Sequence, residues 1–217
     1  MKLYSNPLSP FAARVRLAIE AKGLDIEILD PPGGTKSDEY LSMNPMGKIP
    51  ALVLDDGTVI PESDTIVEYL EDAFPQKALR PASAEDKAKA RLIARVAELY
   101  VIAPGSVLFG QMNPATRNAA LVEETFVKIE DGLTHLNLFL GDGPYAVGKT
   151  FSTADAGLVP FVFYLGVFAQ VFGRPDLLTK HQKLGAYVAF IASDPVAGAV
   201  MAELQAALAA RMAPQPA

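Results

Sequence analysis

The segment Leu8-Ser9-Pro10-Phe11 puts a hydroxyl where a helix is expected to begin. Ser is a strong N-cap and Pro suits the first helical position, so Ser9 can serve simply as a cap for a backbone N–H. The same geometry lets the hydroxyl donate a hydrogen bond to an anion or thiolate held at the positive end of the helix dipole. A second segment, Asn44 to Leu52, places Pro50 at the very start of an expected strand, where its missing N–H interrupts no central ladder. If Ile49–Pro50 is cis, the bend opens the Ile49 N–H and carbonyl to a peptide-like ligand; if trans, it is an ordinary turn. A third segment, Pro61-Glu62-Ser63-Asp64, opens another expected helix. Ser63 or Asp64 can cap it, while Glu62 and Ser63 also offer a carboxylate and a hydroxyl to an amino-acid head group.

Other constellations carry less. Gly143 to Thr150, GPYAVGKT, satisfies the phosphate-loop pattern letter for letter. That chemistry needs a strand before the loop and a helix beginning at the Gly-Lys. Here Phe126 to Leu140 has helical spacing, and the next helix is signalled later by the capping box Ser152-Thr153-Ala154-Asp155. The match is therefore read as an interhelical loop. His135 and His181 are too far apart in sequence to suggest a metal site, and no G-x-S-x-G accompanies them. Acid pairs such as Asp55/Asp56 and Glu123/Glu124 read as solvated faces.

The elements that must position these residues follow from periodicity. Strands are expected at Lys2–Ser5, Asp25–Leu29, Ala51–Leu54 and Thr58–Ile60, the last two joined by the hairpin signal Asp55-Asp56-Gly57. Helical spacing covers Phe11 to about Gly23, Ser37–Met43 and Glu62–Phe74. The order βαβαββα implies a parallel crossover unit with an antiparallel hairpin beside it, a mixed four-stranded sheet. The proline-containing run from Phe74 to Ser83 reads as a linker, with domains expected at 1–76 and 85–217 and residues 77–84 between them. The second domain is all helical in pattern: Glu85 to about Met112, Pro114–Leu140, and three helices between Thr153 and Met212. The tail Ala213–Ala217 is expected to fray.

Composition bounds the chemistry. The 217 residues are half apolar, which is ample for a core and wrong for a disordered chain. Twenty-five acids against 19 bases and no dense basic run argue against a nucleic-acid partner. Ala156–Gly173 has bilayer-spanning length, but Pro160, Gly166 and Gln170 interrupt it, and it reads as a buried helix of a soluble, cytoplasmic protein rather than a membrane segment. The absence of Cys excludes thiolate metal sites and any cysteine nucleophile of the chain's own.

The first part of the chain resembles the thioredoxin-like domain of the glutathione transferase superfamily, in serine-type members with a tau-, omega- or zeta-like N-terminal motif. The residues that carry this are S-P-F-x-x-R-V-R at Ser9 to Arg16, N-P-x-G-K-I-P at Asn44 to Pro50, and Glu62-Ser63 followed by I-x-x-Y-L. The linker, the helical domain and its Ser152/Asp155 N-cap box are similar in order and length. The resemblance implies that Ser9 meets the glutathione sulfur. It implies that Lys36 and Lys48 face the glycine carboxylate and that Ile49, before a structural cis-Pro50, pairs with the cysteinyl backbone. Glu62 and Ser63 would hold the γ-glutamyl ammonium and carboxylate. It further implies a cytoplasmic homodimer acting in detoxification, with glutathione as co-substrate, no metal, and a hydrophobic electrophile held between the domains near Phe11 and Tyr100. With Ser9 where omega-like members have Cys, no mixed disulfide can form on the chain. What remains is conjugation, isomerisation, ether cleavage or peroxide reduction by the ligand's own thiolate, or noncatalytic binding of glutathione or a hydrophobe. Lowering a thiol pKa of about 8.5 by roughly two units requires about 2.7 kcal/mol, the size of one charge-assisted hydrogen bond plus a helix terminus.

Overall fold

The structure, a computed structural model, describes residues 1–213. Along the chain the elements are β1 (Lys2–Tyr4), α1 (Pro10–Lys22), β2 (Glu27–Leu29), α2 (Asp38–Met43), β3 (Ala51–Val53), β4 (Val59–Pro61) and α3 (Ser63–Ala73). After a 3-10 turn at Pro75–Lys77 come α4 (Ala84–Val96), a π-helical stretch at Ala97–Ile102, the single turn α5 (Ala103–Gly105) and a 3-10 segment to Gln111. Four longer helices follow: α6 (Ala119–Phe139), α7 (Thr153–Val171), α8 (Gln182–Ile191) and α9 (Pro195–Met212). Of the tail expected to fray, all but Ala213 lies outside the described residues.

The chain forms two compact units. Met1–Leu79 and the segment from Pro195 make one, and Arg80–Asp194 the other. In the first, the sheet order is β2-β1-β3-β4, with β1 parallel to β2 and antiparallel to β3, and β3 antiparallel to β4. Leu3 and Leu52 pair at its centre and are fully buried. Pro61 falls on the edge strand, where a missing donor is tolerated.

Helix α1 starts at the cap Ser9, whose Oγ accepts the Ala12 N–H at 3.2 Å, and stops at Gly23, which adopts the left-handed φ of 62° that glycine supplies without penalty. It packs on both α3 and α9. Its residues from Ala12 to Ile19 are all buried, and so is Lys22. That burial includes charge. Lys22 Nζ lies 2.7 Å from Glu71 Oε1 of α3 and also donates to the Lys77 carbonyl at 2.8 Å, while both Glu71 oxygens accept the Leu79 N–H. Both side chains are at most 2% exposed.

These contacts move two boundaries from where periodicity put them. Lys77 and Leu79 are fastened to the first unit, so only Arg80–Ser83 precede α4, whose cap is Ser83 accepting the Asp86 N–H. The helical unit spans Arg80–Asp194 rather than 85–217, because α9 packs against α1. Helical pattern alone could not reveal which core α9 joins. In the second unit α6 begins at Ala119 rather than Pro114; Asn113 and Asn118 accept local backbone N–H groups and hold the intervening residues as a turn. By length and composition Ala84–Gln111 and Thr153–Val171 could each cross a bilayer, but 78% of the apolar window of α7 is buried in the structure.

Removing one member of a buried ion pair strands the other charge. Lys22→Ala is expected to lower the unfolding free energy by about 3–5 kcal/mol, read from urea denaturation followed by circular dichroism.

Candidate active site

Strand register gathers the candidate residues. Tyr4 at the end of β1 pairs with Leu29 on one side and Ala51 on the other, and Ala51 pairs with Pro61. The turn to Ser9 leaves this end of the sheet, Pro50 enters it, and Glu62 departs from it. Adjacent strands lie about 4.8 Å apart, so these three segments emerge side by side. The loop after β2, which carries Lys36, leaves from the same end.

Ser9 is half-buried. Because its Oγ accepts the Ala12 N–H, its own proton remains available to donate, so capping and a polar contact outward are compatible. No acidic residue occupies the first turn of α1, leaving the positive end of that helix uncompensated by its own side chains.

The Asn44–Pro50 loop is held from behind. The Lys48 carbonyl accepts the Tyr40 hydroxyl at 2.7 Å and the Asn44 amide at 2.9 Å. Burial pushes the Tyr40 phenol up, keeping it a neutral donor. Gly47 has φ of 55°, and a Cβ there would meet Leu41 and the Thr35 carbonyl at 2.8 Å and Lys36 Nζ at 2.9 Å. The ammonium of Lys36 therefore lies over this loop, beside the exposed Lys48. Ile49–Pro50 is cis. Among the described residues neither the N–H nor the carbonyl of Ile49 has a hydrogen-bond partner.

Glu62 has φ of 68° and ψ of 117°, the one positive φ outside glycine among the described residues. Such a backbone costs on the order of 1–3 kcal/mol and tends to persist where function requires it. The Glu62 side chain is exposed and caps nothing. Ser63 is buried, and its Oγ accepts Arg14 Nη1 at 3.1 Å. Arg14, 2% exposed, also stacks its guanidinium over Phe11 at 5.9 Å. Sequence reasoning passed over Arg14; the available signal was a charge inside the apolar run Ala12 to Ile19.

Within the second unit, Tyr100 is 55% exposed and lines an open groove of about 320 Å³ with Leu92, Val96, His135 and Phe139. It stands on the π-helical stretch, whose backbone meets α6 so closely that a Cβ on Gly132 would come within 2.2 Å of the Tyr100 carbonyl. Among the described residues no cluster of three or more His, Asp or Glu is arranged to hold a metal.

The phosphate-loop match has a physical explanation in the fold. Gly143 is packed against Gly148, where a Cβ would lie 1.9 Å from the Gly148 carbonyl. The Ala146 N–H donates to Asp155 Oδ1, and Asp155 Oδ2 accepts both the N–H and the hydroxyl of Ser152, each at 2.8 Å. The helix terminus that would bind phosphate is filled by the chain's own carboxylate, completing the capping box of α7.

The mixed four-stranded sheet with its helices, followed by an all-helical unit, has the order of elements expected of a thioredoxin-like domain joined to an all-α domain. Family models of the glutathione S-transferase N-terminal and C-terminal domains match residues 3–78 and 119–189. The maleylacetoacetate isomerase of Pseudomonas aeruginosa is 30% identical over 171 residues, 75% of this chain and 80% of that protein. Glutathione S-transferase F13 of Arabidopsis thaliana is also 30% identical, over 175 residues, 76% of this chain and 80% of that protein. A solved glutathione S-transferase of Methylobacillus flagellatus with glutathione bound superposes with a TM-score of 0.75 at 26% identity, covering 92% of this chain and 98% of that one. The chain belongs to the glutathione S-transferase superfamily.

Asp155 supplies a pH test of the α7 cap. Burial pushes its carboxyl up to about 6, outweighing the donors that favour the ionised form. The folded pKa lies above the unfolded value near 3.8, so the contribution to stability is full below about pH 4 and is lost as the pH rises through 6. The stability difference between wild type and Asp155→Asn should therefore shrink from pH 4.5 to pH 7, by at most about 3 kcal/mol, in urea titrations at the two pH values.

Proposed function

We propose that the protein is a glutathione transferase that stabilises the thiolate of bound glutathione for attack on a hydrophobic electrophile. The observation that carries this reading is the shared sheet edge, where the open Ile49 peptide unit stands between Ser9 and the Glu62-Ser63 pair. An extended tripeptide with two carboxylates, one ammonium and a central thiol fits that order of groups. Its cysteinyl backbone pairs with Ile49, its γ-glutamyl ammonium meets Glu62 and its γ-glutamyl carboxylate meets Ser63, which Arg14 holds in place. The glycine carboxylate meets Lys36 and Lys48. Its sulfur then falls to Ser9 and the N-terminus of α1.

The electrophile is attacked by that thiolate, and the chain's part is to make the thiolate abundant near neutral pH. One hydroxyl donor aided by the helix terminus supplies about 1.5–3 kcal/mol. Phe11 on α1, two residues after Ser9, is the aromatic surface we assign to the electrophile. We place the enzyme in the cytoplasm, where the thiol is kept reduced, as a homodimer of the kind its family implies. A second reading shares the machinery: the similarity to an isomerase supports addition of the thiolate to a conjugated double bond, rotation and release, with no net transfer.

Ser9→Ala should raise the pKa of bound glutathione by about 1–2 units, followed by the ultraviolet thiolate band, and lower kcat/KM with an activated aryl chloride by about 10- to 100-fold. Loss of the cap alone costs about 1 kcal/mol of stability and leaves the thiolate where it was. Unchanged band and rate would reduce Ser9 to a cap. Tight glutathione binding without turnover on aryl chlorides, enones or hydroperoxides would replace the enzyme by a binding protein, and turnover confined to double-bond isomerisation would favour the second reading.

A further inference from the structure

We infer that Arg16 is a positioning residue for the Ser9 turn and that Glu203, on α9, holds it in place; the inference rests on the reading of Ser9 given above. Residues 5–8 belong to no helix or strand, so something else must fix the turn that delivers the hydroxyl. Arg16 does so with one planar group. Its Nη1 donates to Ser5 Oγ at 3.0 Å and to the Asn6 carbonyl at 3.3 Å, and its Nη2 donates to the Pro7 carbonyl at 3.2 Å. Three consecutive residues of the turn are thus gathered by a single guanidinium. The Asn6 carbonyl also accepts the Ser9 N–H at 3.0 Å, so one oxygen joins Arg16 to the residue that matters.

Helical geometry explains the reach. Arg16 follows Ser9 by seven residues, two turns of α1, and helical side chains lean back toward the N-terminus. The anchor is stiff because the Arg16 side chain is only 7% exposed and grows from a helix buried along its length. Its counter-charge comes from outside that helix: Arg16 Nε donates to Glu203 Oε2 at 3.2 Å, and the Glu203 side chain is 57% exposed. An open cavity of about 320 Å³, lined by Ser5, Pro7, Asp30 and these two side chains, lets water reach the pair. Loss of Glu203 should therefore loosen the guanidinium rather than strand it, giving a graded effect.

Arg16→Lys keeps the charge but cannot span three acceptors in one plane. It should raise the pKa of bound glutathione by about 0.5–1 unit and lower kcat with an activated aryl chloride by about 10-fold, since small misplacements of a reacting group cost rate steeply. The KM for glutathione should stay within about 2-fold, because the tripeptide's other contacts are untouched. Glu203→Gln should move both quantities the same way, by about 2-fold in kcat. A folded Arg16→Lys protein with wild-type thiolate pKa, whatever its melting temperature, overturns the inference. Should that variant fail to fold, Glu203→Gln decides alone by the same measure. A shift in Arg16→Lys with none in Glu203→Gln overturns the part assigned to α9. Ser9→Ala run in parallel separates the two levels. If Ser9→Ala moves the thiolate band and Arg16→Lys does not, only this inference fails; if Ser9→Ala itself leaves the band in place, the underlying reading fails and the inference with it.

Discussion

The pairing of Tyr4 with Ala51 and of Ala51 with Pro61 is the constraint on which everything else depends. Each strand is only three residues long, so a slip of one residue would move the Ser9 turn by about 3.4 Å along the sheet and turn every strand side chain to the opposite face. Leu3 and Leu52 prevent it. Both are fully buried at the centre of their strands, and a slip of one residue in β1 would exchange Leu3 for the exposed Lys2 or the half-buried Tyr4. Hydrophobic burial thereby fixes the relative positions of a hydroxyl at Ser9, a peptide unit at Ile49 and a carboxylate at Glu62, which are well separated in the chain. Chemistry at the edge of the sheet is an outcome of packing at its centre.

The second organising feature is a helix that buries charge. Three basic side chains of α1 are at most 6% exposed, and each is held differently: Arg14 by a bond from Nη1 to Ser63, Arg16 by the turn and Glu203, Lys22 by Glu71 and the Lys77 carbonyl. Burying a cation costs several kcal/mol unless its donors are met, so these residues are expensive as stabilisers and make sense as specifiers of position. Arg14 locates the start of α3, Arg16 the approach to Ser9, and Lys22 the exit of the chain toward the helical unit. One rigid rod thereby carries the coordinates of three segments.

Much of this was legible in the sequence. Serine caps announced α1 and α7, and Asp-Gly announced the hairpin, because turn and cap chemistry is local and depends on residue type. The chemical segments could be read for the same reason. What failed was whatever depends on a distant partner. Amphipathic spacing gave α1 one buried face, whereas every residue from Ala12 to Ile19 is buried and both α3 and α9 pack on it. Nothing local in α9 shows that it joins the first unit. The π-helical stretch at Ala97–Ile102, which packs closely on Gly132 of α6, was invisible as a pattern. Glu62, although singled out by residue type, gave no sign of its positive φ.

The contrast between Ser9 and Ser152 shows why one helix terminus can serve a ligand and another cannot. Both residues cap a helix, and the second lies beside a sequence that matches a phosphate loop. Ser152 is followed three residues later by Asp155, whose carboxylate turns back onto the cap and onto Ala146. The positive end of α7 is consumed internally. The other Ser-capped helices are likewise compensated, α2 by Asp38 and Glu39 and α4 by Glu85 and Asp86. Only α1, among these four, has no acid in its first turn. Its dipole must find its negative charge elsewhere, and a chain without cysteine cannot supply a thiolate of its own. In the proposed reading, the open terminus at Ser9 and the absence of cysteine are two aspects of one arrangement, in which the nucleophile arrives with the ligand.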